Sequence, residues 1–237
     1  MKKFVIVCLI LISFIPAFAL AKEEVTGLTL GEAAKMHGLS VKIPNKEVEG
    51  LINQLILVPL ENEYSHEEVV GMIYRISRIH PSILHQLADN DVKIKLFSGK
   101  LTDEPYFSDL KGVSPRGWNQ NITWDEVPGA GGAEIVAAKI GASDKGHGHG
   151  SINLELHEIA HSVEYTIGNG LRENEEFLAI WRDEVSRLFN EKEYFNNYPE
   201  EYFAEVFAMF YLNEASRMEV FVKAPKTYAF IQKLENR

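Results

Sequence analysis

The chain has 237 residues, 46% hydrophobic and 24% charged, with one cysteine and a formal charge of −10. So apolar a composition excludes a disordered tail, and one cysteine excludes a disulfide scaffold. The acidic balance runs against a nucleic-acid binder, and the length suits one core of about 100–200 residues.

Lys2 and Lys3 open the chain, an apolar run follows from Phe4 to Pro16, and Ala19-Leu20-Ala21 supplies small residues. These are the three parts of a secretory signal with an A-x-A cleavage point. The run is shorter than the roughly 20 residues of a membrane span. Cys8 lies inside the run rather than at its end, which disfavours a lipid anchor. The expectation is a signal peptide over 1–21, a secreted product without membrane attachment, and one domain over 22–237. Asn121-Ile122-Thr123 fits a glycosylation acceptor, which means little if the source is bacterial.

No internal repeat or low-complexity tract interrupts the chain. Leu55 to Leu60 reads as a buried strand. Ser65-His66-Glu67-Glu68 reads as a capping box opening a helix, with Val69, Met72, Ile73, Ile76 and Ile79 on one side. Pro81 ends or breaks that helix, and Ile83 to Leu87 add a shorter one. Val92, Ile94 and Leu96 alternate with Lys93 and Lys95, which predicts a half-buried strand. Residues 97–132 read as long loops, Glu134 to Ile140 as a strand, and Gly146 to Gly150 as a turn. After Ser151 the pattern predicts helices near 152–167, 174–190, 199–213 and 225–235. The fold class is therefore α+β, a mixed α/β lobe over 22–150 and a mainly helical lobe over 151–237, within one compact unit.

His157-Glu158-Ile159-Ala160-His161 matches H-E-x-x-H. On a helix, positions i and i+4 share a face, so both imidazoles reach one ion, with Glu158 beside them as general base. Zinc is the expected ion, one per chain, because it accepts His and carboxylate ligands and keeps a position open. It lowers the pKa of bound water to about 7. Leu154, Leu156, Ile159, Ala160 and Val163 make this a buried helix, where unpartnered His and Glu are costly. Tyr198 to Glu205 opens a second helix, with Pro199 in its first turn. Glu201 and Glu205 share one face there with Ala204 and Ala208. Glu201 is the expected third ligand, and Glu205 is placed to orient a ligand histidine through its other ring nitrogen.

Several stretches resemble the Pro-Pro endopeptidases, small secreted bacterial metalloproteases related to the protease domain of anthrax lethal factor. They are Ser98 to Glu104, Pro115-Arg116-Gly117-Trp118, Trp124 to Gly129, Ile152 to Glu158, Tyr198 to Glu205 and Ala224 to Tyr228. The similarity runs from about Leu96 to the C-terminus; lethal factor itself shares only the two metal motifs and the stretch Lys223–Ile231. The resemblance implies a zincin-like fold with the HExxH helix between the lobes, and zinc on His157, His161 and Glu201. It adds Tyr194, seven residues before Glu201, as a donor to the oxyanion of the tetrahedral intermediate.

The resemblance also implies cleavage between two prolines in cell-surface or adhesion proteins, by a protein expected to be a monomer. A Pro–Pro bond offers no N–H and fixes φ near −65°, but proline-rich peptide is already close to a polyproline helix and docks on aromatic surfaces. Trp118 is the expected platform, with His149 facing the cleft and the strand at Glu134 to Ile140, if at an edge, offering backbone bonds. Arg116 and Glu200 are expected to pair across the cleft. The loop from Gly129 to Ile135 departs from the relatives' pattern, which bears on the residues preferred beside the prolines. Other readings are a lethal-factor-type or broader zinc protease, and an inactive binder of proline-rich peptide.

Overall fold

Five strands in the order β1-β2-β3-β5-β4 form one mixed sheet in the computed structural model, which describes residues 25–115, 122–166, 170–190 and 193–236. In chain order the elements are β1 (Leu28–Thr29), α1 (Leu30–His37), α2 (Lys46–Leu55), β2 (Ile56–Val58), α3 (His66–Ile76), α4 (Pro81–Asp89), β3 (Lys93–Phe97), β4 (Gly129–Ala130) and β5 (Ile135–Lys139). Six helices follow: α5 (Leu154–Thr166), α6 (Glu175–Leu188), α7 (Glu193–Asn197), α8 (Pro199–Leu212), α9 (Glu214–Lys223) and α10 (Pro225–Leu234). The expected signal segment 1–21, Arg116, Trp118 and Asn121 lie outside the described residues. No described helix is long and apolar enough to cross a membrane.

The helices start where cap chemistry places them. Thr29 and Glu32 cap α1 reciprocally, Asn45 Oδ1 accepts from Glu47 N at 3.0 Å to open α2, and Ser65 Oγ accepts from Glu68 N at 3.3 Å to open α3. Pro81 does not merely end α3. It occupies the first turn of α4, where its missing N–H costs nothing, with His80 as the cap. The strand expected from Leu55 to Leu60 is shorter, because Leu55 closes α2 and only Ile56–Val58 pair.

Two strand expectations are corrected. β3 is not half-buried: it lies between β2 and β5, parallel to both, and Lys95 is itself buried. Its Nζ donates to Thr26 O at 2.7 Å and sits 3.6 Å from Glu104 Oε2, which compensates a buried charge. A small apolar cluster of Phe97, Leu101, Phe107, Ile135 and Ala137 packs beside it. The second correction concerns β5, an interior strand paired with β3 on one side and β4 on the other. The edge on that side of the sheet is β4, only Gly129–Ala130, antiparallel to β5.

The main core runs from Leu28 to Leu234 without a break between the front and back of the chain. α5 packs against β4 and β5 and against α3 and α4, and also along α8. The sheet edge and α8 therefore both border the helix that carries His157, Glu158 and His161.

Candidate metal centre and cleft

α5 begins in a polar knot. Asn153 Oδ1 accepts from Leu156 N at 3.1 Å, Ser151 Oγ donates to Asn153 O at 2.8 Å, and Ser143 O accepts from Leu154 N at 2.9 Å. Arg75 on α3 reaches in from behind, with Nε 2.5 Å from Glu155 Oε1 and Nη2 2.7 Å from Ser143 Oγ. Glu155 is fully buried, so this pair fixes both α5 and the loop before it.

With the helix fixed, His157 and His161 stack one turn apart, ring centroids 5.0 Å from each other. α8 delivers Glu201 across them: Oε2 lies 3.3 Å from His157 Nε2, and Oε1 lies 3.7 Å from His161 Nε2. Among the described residues these three form the group whose ligand atoms all fall within 4.8 Å of one another. Glu205, one turn further along α8, holds the other side of the His157 ring. Its Oε2 lies 3.4 Å from His157 Nδ1, too poorly aligned for a good hydrogen bond, while Ile152 N donates to its Oε1 at 3.0 Å. The structure thus brings together the four side chains that the spacing on the two helices had singled out.

The electrostatics favour a cation at this point. Burial lowers the His157 pKa, but its contacts with Glu201 and Glu205 outweigh that and raise it to about 10. Burial together with the neighbouring positive His157 takes His161 down to about 4. Burial opposes ionisation of Glu201, yet the His157 contact, the two imidazoles' charge and a hydrogen bond from Tyr194 hold it at about 2. An ionised carboxylate, a neutral imidazole and a second imidazole that holds its proton only through acidic neighbours suit a divalent ion in donor chemistry.

Glu158 projects into the same cleft. Burial raises its pKa to about 7, with Glu201 adding to the rise and His157 opposing it. The sheet edge presses directly on this residue. A Cβ added at Gly131 would lie 2.0 Å from Glu158 O, and one at Gly129 would lie 2.9 Å from Glu158 Cγ and from Leu154 Cδ1. Only glycine permits backbone that close. Ser162 Oγ completes the join, accepting from Gly132 N at 3.3 Å and donating to Ala133 O at 2.7 Å.

Tyr194 stands on α7, 40% exposed, with its ring 5.2 Å from that of Tyr198. Burial, then the charge of Glu201, pushes its pKa upward, so it remains a phenol able to donate. These groups line one cavity of about 1020 Å³. His149 lines it too: its Nε2 donates to Ala142 O at 2.7 Å, and its Nδ1 is buried with no hydrogen-bond partner among the described residues. Glu200 is buried beside the cavity and is not among its lining residues. The expected Arg116 partner lies outside the described residues; Arg172 Nη2 lies 3.4 Å from Glu200 Oε1. Arg172, Lys145, Tyr165 and Trp124 line the cavity without having been picked out from sequence. A tyrosine one turn past an HExxH motif could have flagged Tyr165; Trp124 stood only within one of the stretches that carry the resemblance, and nothing local marked Arg172 or Lys145.

Comparison with known proteins agrees with this geometry. Residues 42–234 match the family described as anthrax toxin lethal factor, N- and C-terminal domain. A Pro-Pro endopeptidase of Clostridioides difficile is 44% identical over 184 residues, which cover 77% of this chain and 82% of that protein. The chain belongs to the lethal-factor-like family of Pro-Pro endopeptidases. A second Pro-Pro endopeptidase, of Paenibacillus alvei, is 40% identical over 187 residues, covering 78% of this chain and 85% of that one. The solved structure of a Pro-Pro endopeptidase from Paenibacillus alvei superimposes with a TM-score of 0.72 at 39% identity, over 80% of this chain and 100% of that one. This family member is thus a peptide-bond hydrolase of mixed α+β fold, and its His157, His161 and Glu201 group suits a metal.

Proposed function

We propose that this endopeptidase is an exported zinc enzyme that hydrolyses Pro–Pro bonds in proline-rich segments of cell-surface or adhesion proteins. The supporting observation is convergence: the His157, His161 and Glu201 group, Glu158 and Tyr194 all border one cavity. The relatives' name supplies the bond. His157, His161 and Glu201 would hold the zinc ion, which when bound acidifies water and polarises a carbonyl.

The chain's own residues account for the proton movements. Glu158, which borders the cavity beside the ligand group, is placed to accept a proton from the attacking water and return it. As the water oxygen bonds to the prolyl carbon, charge builds on the carbonyl oxygen, and the Tyr194 hydroxyl donates to it. The C–N bond then breaks, and Glu158 delivers its proton to the departing proline nitrogen. Glu205 steadies the His157 ring from behind. Trp124, Tyr165 and Tyr194 give the cleft an aromatic lining suited to a polyproline helix.

The test is digestion of a quenched peptide with two central prolines, read by mass spectrometry with and without chelator, beside Glu158→Gln. Expected are one cut between the prolines, its loss on chelation, and a metal-loaded Glu158→Gln protein that no longer cuts. Cleavage of proline-free peptides, or full activity of metal-loaded Glu158→Gln, would overturn the reading.

A further inference from the structure

The cleft of this acidic chain has a charge pattern that metal binding does not account for. Of the four carboxylates that line it, three are engaged: Glu201 with the two histidines, Glu205 with Ile152 N, and Glu164 with Leu171 N at 3.0 Å; the fourth is Glu158. Two cations line the cavity with them, Lys145 and Arg172. Lys145 is exposed and has no ion-pair partner among the described residues. The Arg172 side chain is 53% exposed, with one Nη near Glu200. Guanidinium carries five N–H donors, so the contact with Glu200 does not exhaust them.

The two cations come from opposite ends of the same helix. Lys145 belongs to the loop between β5 and α5, and Arg172 to the turn after α5. A helix of α5's length spans about 20 Å. A polyproline peptide advances about 3.1 Å per residue, so roughly six residues cover that distance. A peptide laid along α5 with its prolyl–prolyl bond near the middle would bring side chains about three positions out on either side towards the two cations.

We propose that Lys145 and Arg172 select substrates with Asp or Glu flanking the two prolines, one cation serving each end of the bound peptide. This rests on the Pro–Pro reading above and adds a preference at positions the reaction itself does not touch. A proline-rich peptide has few N–H donors, so acidic side chains give it charged handles that the cleft can grip without backbone pairing.

Three peptides sharing a two-proline core would carry Glu, Gln or Lys at the third position on each side. Their kcat and KM would be measured on the metal-loaded protein at low and high salt. The expected order of KM is Glu below Gln below Lys, by about threefold per exposed ion pair, narrowing at high salt. Lys145→Glu should invert the order at one end of the peptide and Arg172→Glu at the other. Because Arg172 also contacts Glu200, Lys145→Glu serves as the test should Arg172→Glu fail to fold. Equal KM for the three peptides, or an order that Lys145→Glu leaves unmoved, overturns the proposal while the Pro–Pro reading stands. No cleavage of the Gln peptide overturns that reading, and this proposal with it.

Discussion

Replacing Gly131 with alanine should disable the enzyme without touching a candidate metal ligand or the proposed general base. The new Cβ would start 2.0 Å from Glu158 O and 2.8 Å from Glu158 C. Non-bonded carbon and oxygen do not approach within about 3 Å, so the sheet edge or α5 must retreat by about 1 Å. Both obstructing atoms are backbone, so no side-chain rotation relieves the clash. Glu158 sits at that point of α5, and a misplacement of about 1 Å in a catalytic group costs on the order of 10²-fold in rate, or about 2.7 kcal/mol in the barrier. The assay is kcat/KM on the two-proline peptide, with bound metal measured on the same sample. Gly50→Ala is the control. That glycine lies within α2 with nothing within 4 Å of its added Cβ, so alanine there should leave activity intact and add up to about 1 kcal/mol of stability. A Gly131→Ala protein within twofold of the parent would refute the claim that this contact fixes Glu158.

Glu205→Gln should weaken metal binding by about 10–100-fold, measured by competition with a chromophoric chelator, because His157 loses its charged neighbour at Nδ1; unchanged affinity would remove Glu205 from that role. Arg75→Met should cost about 3 kcal/mol in urea unfolding, since it strands the buried Glu155, and adding Glu155→Leu should recover most of the loss; two additive losses would contradict this. Asp125 accepts from Gly112 N at 2.7 Å and from Thr102 Oγ1 at 2.9 Å, and these bonds hold its pKa at about 2 against an ordinary 3.8. A depressed carboxylate contributes stability above its unfolded pKa and loses it as pH falls towards the folded one. Acid unfolding followed by circular dichroism should therefore show part of the loss between about pH 3.8 and 2, and Asp125→Asn should abolish that part.

The candidate metal site was legible because its residue pattern is local. His157 and His161 are one turn apart, and so are Glu201 and Glu205, so each helix announces its own half of the site. Their meeting depends on α5 packing along α8, which the apolar faces of both helices made a fair inference. Helices α1 and α2 were overlooked although Thr29 with Glu32, and Asn45 ahead of Val48, Leu51, Ile52 and Leu55, carry ordinary cap and periodicity signals. α9 is different in kind. Only Ser216 and Val220 are buried along it, so it leaves almost no apolar period to read. The edge strand was not foreseen because Gly129–Ala130 is too short to show an alternation, whereas Ile135–Lys139 looks like any strand and is buried between two neighbours. Arg172 meeting Glu200, and Gly131 resting on Glu158, are long-range contacts between types of residue that any loop contains, and no local pattern encodes them.

Anomalous scattering at the zinc edge, from crystals of the zinc-loaded protein, tests the central claim most directly. One strong peak per chain should appear, bonded to His157 Nε2, His161 Nε2 and the Glu201 carboxylate. A peak elsewhere, or one that leaves Glu201 out of the ion's coordination, would contradict the account.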